Sequence, residues 1–117
     1  MTTPAVVNLE MRQGNTWTKQ LVWKTTANVP INLTGYSARM QIRRGIKNPE
    51  FLAELTTVNN KIVLGGSLGT ITLKLAASET SLLPAKECVY DLELQSPDGT
   101  VVTLVEGSVS ISPEITR

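Results

Sequence analysis

Apolar and polar residues alternate with a period of two along most of this chain, and this pattern constrains the fold more than any other feature. In residues 36–43 every second side chain is apolar and those between are polar. Successive side chains of a β-strand point to opposite faces, so the pattern predicts a strand with one buried and one exposed face. The same alternation recurs in residues 16–24, 70–75 and 88–95.

Turn residues separate these runs at regular intervals. Interruptions rich in Asn, Gly and Pro lie at residues 25–30, 45–50, 65–69 and 96–100. The last of these reads Ser-Pro-Asp-Gly-Thr, in which Pro fixes φ and Gly accepts a left-handed backbone. It precedes a long final run at residues 101–112. About eight strands at a spacing of roughly 8–12 residues are typical of a β-sandwich or barrel.

Three local features refine this prediction. Residues 51–57 and 61–64 are expected to pair as a hairpin across the Asn-rich turn at 58–60, because Asn tolerates positive φ. Ser78 resembles the N-cap of the one short helical turn, which we expect to cross between the two sheets. Gly107, inside the last predicted strand, indicates a bulge or a close approach by another backbone.

Length and charge limit the classes of protein that this chain can represent. Its 117 residues fit one domain, residues 1–117, and are enough for a core without disulfides. The formal net charge of +1 gives no strong field for nucleic acid or an anionic membrane. No run approaches the roughly 18 apolar residues of a membrane span, and the start lacks the pattern of a signal peptide. We therefore expect no nucleic-acid or membrane partner, and synthesis in a cytoplasm.

Side chains for the commonest catalytic and metal chemistry are scarce. The sequence has no histidine and a single cysteine, Cys88. Without histidine there is no Ser–His or Cys–His pair, and one cysteine cannot build a zinc site. Cys88 begins an apolar strand face, so we expect an inert core residue. These observations predict no enzymatic activity, no metal and no cofactor.

Asp91 and Glu93 form the carboxylate pair most compatible with catalysis or cation binding, because their spacing places both on one strand face. The simpler interpretation is a solvated strand face that lies opposite Arg39, Arg43 or Lys74. Opposite charges on neighbouring strands favour strand pairing. We favour this second interpretation.

Two segments carry residues suited to protein contacts. The apolar, charge-poor residues 1–7 are expected to form an extended arm that reaches a neighbouring subunit, with Pro4 keeping it extended and Val6 as an apolar contact. The second segment is the loop after the strand at 36–43. Arginine and aromatic residues are enriched at protein interfaces. The candidate contact residues of this loop are Arg43, Arg44, Ile46 and Phe51.

An ordered set of short motifs is more specific than any one of them. The motifs are LEMRQGNTW at 9–17, LTGYSARMQIR at 33–43, GTITL at 69–73, YDLEL at 90–94, PDGT at 97–100, GSV at 107–109 and PEITR at 113–117. In this order they resemble small β-sandwich virion proteins of tailed bacteriophages. That family is similar to the N-terminal anchoring domain of upper baseplate proteins in some long-tailed phages. The resemblance covers nearly the whole chain.

The resemblance implies an immunoglobulin-like antiparallel β-sandwich and a structural role in the tail region of a virion. There the protein would anchor fibres or other adhesion devices to a ring of subunits. The implied partners are other virion proteins (tail, baseplate or fibre subunits) in a multi-copy ring or oligomer, after synthesis in the host cytoplasm. We expect docking through edge strands and loops, because the edges of a sandwich carry unpaired N–H and C=O groups.

Two alternative functions stay open at this point. A host receptor- or carbohydrate-binding module predicts an exposed aromatic platform, but aromatic residues make up only 4% of the chain. Trp17 and Trp23 share one strand face, and we expect both to pack against the core. The other alternative, a capsid decoration or a neck (collar) protein, uses the same sandwich elsewhere on the particle.

Overall fold

The computed structural model describes residues 4–116, which form two β-sheets packed as a sandwich. The strands are β1 (Ala5–Val6), β2 (Leu9–Arg12), β3 (Trp17–Val22), β4 (Ser37–Arg43), β5 (Ala53–Thr56), β6 (Ile62–Leu64), β7 (Thr70–Leu75), β8 (Glu87–Gln95) and β9 (Val101–Ser112). One helical turn, α1, spans Ala77–Thr80, and a 3₁₀ turn spans Gly66–Leu68. The predicted all-β sandwich with one short helical turn is confirmed.

The strand order is that of an immunoglobulin-like domain. The large sheet has the order β1–β9–β8–β4–β5, with β2 also pairing with β9, and the small sheet has the order β3–β7–β6. Strands β9, β8 and β4 take the places of immunoglobulin strands G, F and C, while β3, β7 and β6 take those of B, E and D. All pairs are antiparallel except β1 and β2, which run parallel to β9.

The predicted hairpin between residues 51–57 and 61–64 is wrong. β5 pairs with β4 in the large sheet, whereas β6 pairs with β7 in the small sheet. The side chain of Asn59 explains why β5 does not pair with the next strand. Its amide oxygen accepts the N–H of Thr56 at 3.0 Å and its amide nitrogen donates to the carbonyl of Glu54 at 3.0 Å. These are the backbone groups that a hairpin partner needs.

The helical turn α1 joins β7 of the small sheet to β8 of the large sheet, as the sequence predicts. The predicted N-cap is wrong, because α1 begins at Ala77 and Ser78 lies within it. The cap position is Ala76, whose N–H donates to the carboxylate of Glu79 at 2.9 Å. No helix in the described part of the chain has the length and apolar character to cross a membrane.

Thr80 ties α1 to the turn between β2 and β3. Its side chain is fully buried. The hydroxyl donates to the carbonyl of Asn15 at 2.8 Å and accepts the N–H of Gly14 at 3.1 Å. A buried hydroxyl is stable in the core only when it is hydrogen-bonded, and here both roles are filled.

Gly107 allows the N-terminal segment to approach β9. A Cβ atom at this position would lie 2.5 Å from the carbonyl oxygen of Val7, so only glycine permits the contact. The predicted close approach of another backbone is therefore confirmed. The bulge of β9 lies elsewhere, since the register with β8 shifts between Leu92 and Glu93 and leaves Leu104 as the extra residue.

The core lies between the two sheets and is filled by the inward residues of each alternating strand. Cys88 is buried, as predicted, and burial raises the pKa of its thiol. Trp17 and Trp23 are half-buried and pack against the core, also as predicted. Fully buried side chains come from both sheets and include Met40, Ile42, Ile71, Leu73, Leu92 and Leu94.

Candidate docking surface

The outer face of the large sheet carries a row of aligned side chains. Strand alternation buries one set of residues from β4 and β8 and turns the other set to solvent. The register places Gln41 beside Asp91, Asp91 beside Glu106, and Glu106 beside Val6. One row of side chains therefore crosses four strands, β4, β8, β9 and β1.

A shallow groove of about 480 Å³ lies over this row and is called the outer-face groove below. Val6 reaches it from β1, and Ile46 reaches it from the loop that follows β4. Val6, Arg43 and Ile46 belong to the two contact segments that the sequence suggests, and the fold brings them to one surface. The lining includes Val6, Gln41, Arg43, Ile46, Val89 and Glu106.

Arg43 holds the loop that presents Ile46. Its guanidinium donates to the side-chain oxygen of Gln41 at 2.6 Å and to the backbone carbonyl of Asn48 at 2.8 Å. The N–H of Asn48 in turn donates to the carbonyl of Gly45 at 3.1 Å. Ile46, between these fixed points, is 87% exposed. Arg43 therefore both lines the groove and positions its most exposed apolar side chain.

The N-terminal side of the groove is fixed by Tyr90. Its hydroxyl donates to the carbonyl of Val7 at 2.6 Å, and the N–H of Val7 donates to the carbonyl of Glu106 at 2.9 Å. Burial raises the pKa of Tyr90 to about 12, so the phenol stays protonated and continues to donate at neutral pH. These bonds hold Val6 beside β9 with 70% of its surface exposed.

The expected N-terminal arm is only partly within the described residues. Residues 1–3 lie outside them, and residues 5–6 form β1 on β9 of the same chain. In its described part the segment therefore completes the large sheet of its own domain. Val6 presents an apolar side chain from that position, whereas Pro4 is half-buried before β1 and does not line the groove.

Two predicted contact residues of the β4–β5 loop also lie outside the groove. Arg44 and Phe51 are both exposed, and neither lines it. Sequence reasoning missed Gln41, Val89 and Glu106, which do. Their outward position follows from alternation, but the register that aligns them requires the strand order.

The carboxylates of the groove repel one another. The pKa of Asp91 is raised, first because the surrounding sheet partly removes its carboxyl from water and then because Glu93 and Glu106 lie close. Arg39 and Arg43 act in the opposite direction. A basic group brought by a partner would relieve this repulsion and lower the pKa of Asp91.

The interpretation of Asp91 and Glu93 as a charged strand face agrees with the register. Arg39 lies opposite Glu93 and donates to its carboxylate at 3.1 Å. Lys74 belongs to the small sheet and does not take part. Arg39 remains largely exposed, so this ion pair contributes less than about 1 kcal/mol to stability.

Clustered metal ligands and exposed aromatic rings are scarce among the described residues. Within residues 4–116 no group of three or more His, Cys, Asp or Glu residues is arranged to hold a metal ion. Of the five aromatic side chains, Phe51 is exposed, whereas the two tryptophans and Tyr36 are half-buried and Tyr90 is buried. The groove combines apolar and charged side chains on a rigid sheet, which suits contact with another protein.

Comparison of the chain with protein-family models and with curated proteins finds no match.

Proposed function

We propose that this chain is a structural protein of a tailed-bacteriophage virion, in the tail or baseplate region, that anchors fibres or other adhesion devices through protein–protein contacts. Its partners are then other virion proteins, arranged around a multi-copy ring. The observation that carries the attachment role is the outer-face groove, where two separate contact segments meet. The virion setting is supported by the ordered motifs, which cover nearly the whole chain.

The groove offers a partner two kinds of contact. Val6 and Ile46 are 70% and 87% exposed, and covering side chains of this kind contributes roughly 1.5–3 kcal/mol each. Asp91 and its neighbouring carboxylates favour a basic group on the partner. The backbone beneath is held by the β4–β8–β9 ladder, so little ordering is required on binding.

The exposed side chains favour a protein partner over a carbohydrate. Sugar-binding surfaces use exposed aromatic rings, and Phe51 is the one exposed ring among the described residues. Phe51 also lies outside the groove. A capsid or neck protein would use the same contacts, so the location on the particle has to be measured separately.

Substitution in the groove tests the attachment role. We expect Ile46→Asp to lower incorporation of the protein into particles about tenfold, because the charge removes an apolar contact and adds to the carboxylates already present. Leu82→Asp is the matched control, since Leu82 is 84% exposed and lies outside the groove. Normal incorporation of Ile46→Asp, with thermal melting unchanged, would contradict the role of the groove.

Cryo-electron microscopy of the intact particle tests the setting. We expect density for the domain in the tail region, in several symmetry-related copies, with the outer-face groove covered by a neighbouring protein. Density at the capsid or the neck would correct the location. A protein found only as a free monomer, with no particle association, would overturn the proposal.

A further inference from the structure

Strand β3 leaves one edge of the small sheet open. The N–H of Trp23 donates to the carbonyl of Gly69 at 2.9 Å, which sets the hydrogen-bonding phase of the β3–β7 ladder. Backbone groups therefore point toward β7 at the odd-numbered positions of β3 and away from the sheet at Thr18, Gln20 and Val22. Within residues 4–116 no backbone or side-chain group pairs with these outward groups.

The edges of the two sheets differ in length and in what covers them. In many immunoglobulin domains the first strand lies beside strand B, the place that β3 takes here. In this chain the first strands, β1 and β2, lie beside β9 instead. The outer side of β5 is occupied by the side chain of Asn59. With six residues, β3 is the longest edge strand of either sheet in the described chain.

Lys19 places a positive charge on the inner side of this open edge. It pairs with Leu73, whose side chain is fully buried, so Lys19 shares the core-facing side of β3. Half-buried Trp17 and Leu21 flank it on the same side. Glu10 and Glu87 of the large sheet line the same surface depression as Lys19, but within the described residues no carboxylate lies within 4.0 Å of its ammonium group. A strand added here would cover an ammonium group without a direct ion-pair partner unless the strand carried an acidic residue.

We propose that the β3 edge binds an extended segment of a different protein chain, which adds a fourth strand to the small sheet. The segment has the pattern apolar–x–Asp/Glu–x–apolar. Its backbone pairs with Thr18, Gln20 and Val22, its carboxylate lies beside Lys19, and its apolar residues lie beside Trp17 and Leu21. The inference rests on the proposed attachment function only in taking the partner to be a protein, and it uses a different surface.

The sequence argues against a second copy of this chain as the occupant. Pairing β3 with β3 of another copy would bring two Lys19 side chains onto one face, and neither strand carries a carboxylate to pair with them. Of the ten acidic residues, only Glu87 has an apolar residue two positions before and two positions after it. Glu87 lies in β8, an interior strand of the large sheet, and cannot serve as a free segment.

Peptide binding followed by amide hydrogen exchange tests this proposal. The probe is the capped peptide Thr-Thr-Ile-Thr-Glu-Thr-Val-Thr-Thr, and the matched control carries Lys in place of Glu. Each is also fused after the C-terminus through a flexible Gly/Ser linker, which raises its effective concentration to the order of millimolar. The end of β9 at Ser112 lines the same surface depression as Trp17, so a linker reaches the β3 edge.

We expect the Glu peptide to slow exchange at Thr18, Gln20 and Val22, and to bind about tenfold more tightly than the Lys peptide. Lys19→Glu reverses this preference. Gln20→Pro lowers binding about tenfold, because it removes an outward N–H and leaves the ladder to β7 intact. Unchanged exchange at Leu21 shows that this variant is folded.

Three results would overturn the proposal. They are no protection of the β3 amides even in the fused form, equal binding of both peptides, and self-association through the β3 edge. Ile46→Asp is the control that separates the two surfaces. It disturbs the outer-face groove and leaves peptide binding at β3 unchanged, so failure of one proposal is distinguishable from failure of the other.

Discussion

The outer edges of β5 and β3 differ in whether their backbone groups are hydrogen-bonded. At β5 the side-chain amide of Asn59 takes up the N–H of Thr56 and the carbonyl of Glu54, as a neighbouring strand would. At β3 the outward backbone groups have no partner within residues 4–116, and the inward charge of Lys19 stands beside them. The Asn59 side chain occupies the backbone groups that any added strand would need. Lys19 leaves those groups free and disfavours only an added strand that brings no acidic residue. The difference separates a closed edge from a selective one.

The edge of β9 is covered in a third way, by the N-terminal strands β1 and β2. Gly107→Ala is expected to have the largest effect on this cover, because the new Cβ would lie 2.5 Å from the carbonyl oxygen of Val7. Displacing that backbone also breaks the bond from Tyr90. We expect a loss of about 2–3 kcal/mol in the free energy of unfolding, measured by chemical denaturation.

Gly45→Ala is the matched control for this substitution. A Cβ at Gly45 would meet only the side-chain oxygen of Asn48, at 3.0 Å, and that side chain is free to move. Its effect should stay within about 0.5 kcal/mol. If Gly107→Ala were equally mild and the amide of Ser108 kept its protection from exchange, the close approach would not matter for stability.

Asn59→Ala tests the cover on β5 and should have an intermediate effect. It removes the bonds to Thr56 and Glu54 and a third one, from the N–H of Lys61 at 3.0 Å. We expect a loss of about 1 kcal/mol, because the freed groups are exposed to water. Amide exchange at Thr56 should become about fivefold faster, in keeping with that loss.

Asn48→Ala serves as the comparison for Asn59→Ala. The side chain of Asn48 makes no hydrogen bond within the described residues, so truncation should leave stability and exchange nearly unchanged. Equal effects of the two substitutions would mean that Asn59 acts only as a turn residue. The distinction between a closed and a selective edge would then be lost.

Lys19→Leu should have the smallest effect on stability and the clearest effect on association. Removing the charge leaves an apolar, hydrogen-bonding edge, which is a template for pairing with another copy. We expect a stability change within about 0.5 kcal/mol. Analytical ultracentrifugation should show a larger fraction of dimer than the original chain forms at the same concentration. Lys74→Leu, on the outer face of β7, is the control and should sediment like the original chain.

Strand alternation predicts the interior of the sandwich well, because burial on one face dictates the sequence of a strand. Residues 70–75 match β7, and the long final hairpin is placed nearly to the residue. The pairing of residues 51–57 was not predictable in this way. Leu55 and Ile62 are both buried, and nothing local shows that they enter the core from opposite sheets.

The candidate site was predictable only in part for a related reason. Val6, Arg43 and Ile46 stand out in the sequence as interface-type residues. Val89 and Glu106 look like ordinary outward strand positions until the register aligns them. The sequence indicates only that Asn59 is a turn residue. Its hydrogen bonds to the backbone of β5 depend on side-chain geometry, which the alternation pattern does not predict.

The parallel pairing of β1 and β2 with β9 has a consequence for how the domain is made. The bond between Ser108 and Asn8 joins residues 100 positions apart. At the roughly 5–20 residues per second of protein synthesis, the first strands wait on the order of 5–20 seconds for their partner to emerge. Until then the large sheet lacks β9, the strand with which β1, β2 and β8 all pair. Pairing residues so far apart in sequence is also slow, because a long loop must close. The nascent chain therefore exposes β1 and β2 without their pairing partner until β9 has been synthesised.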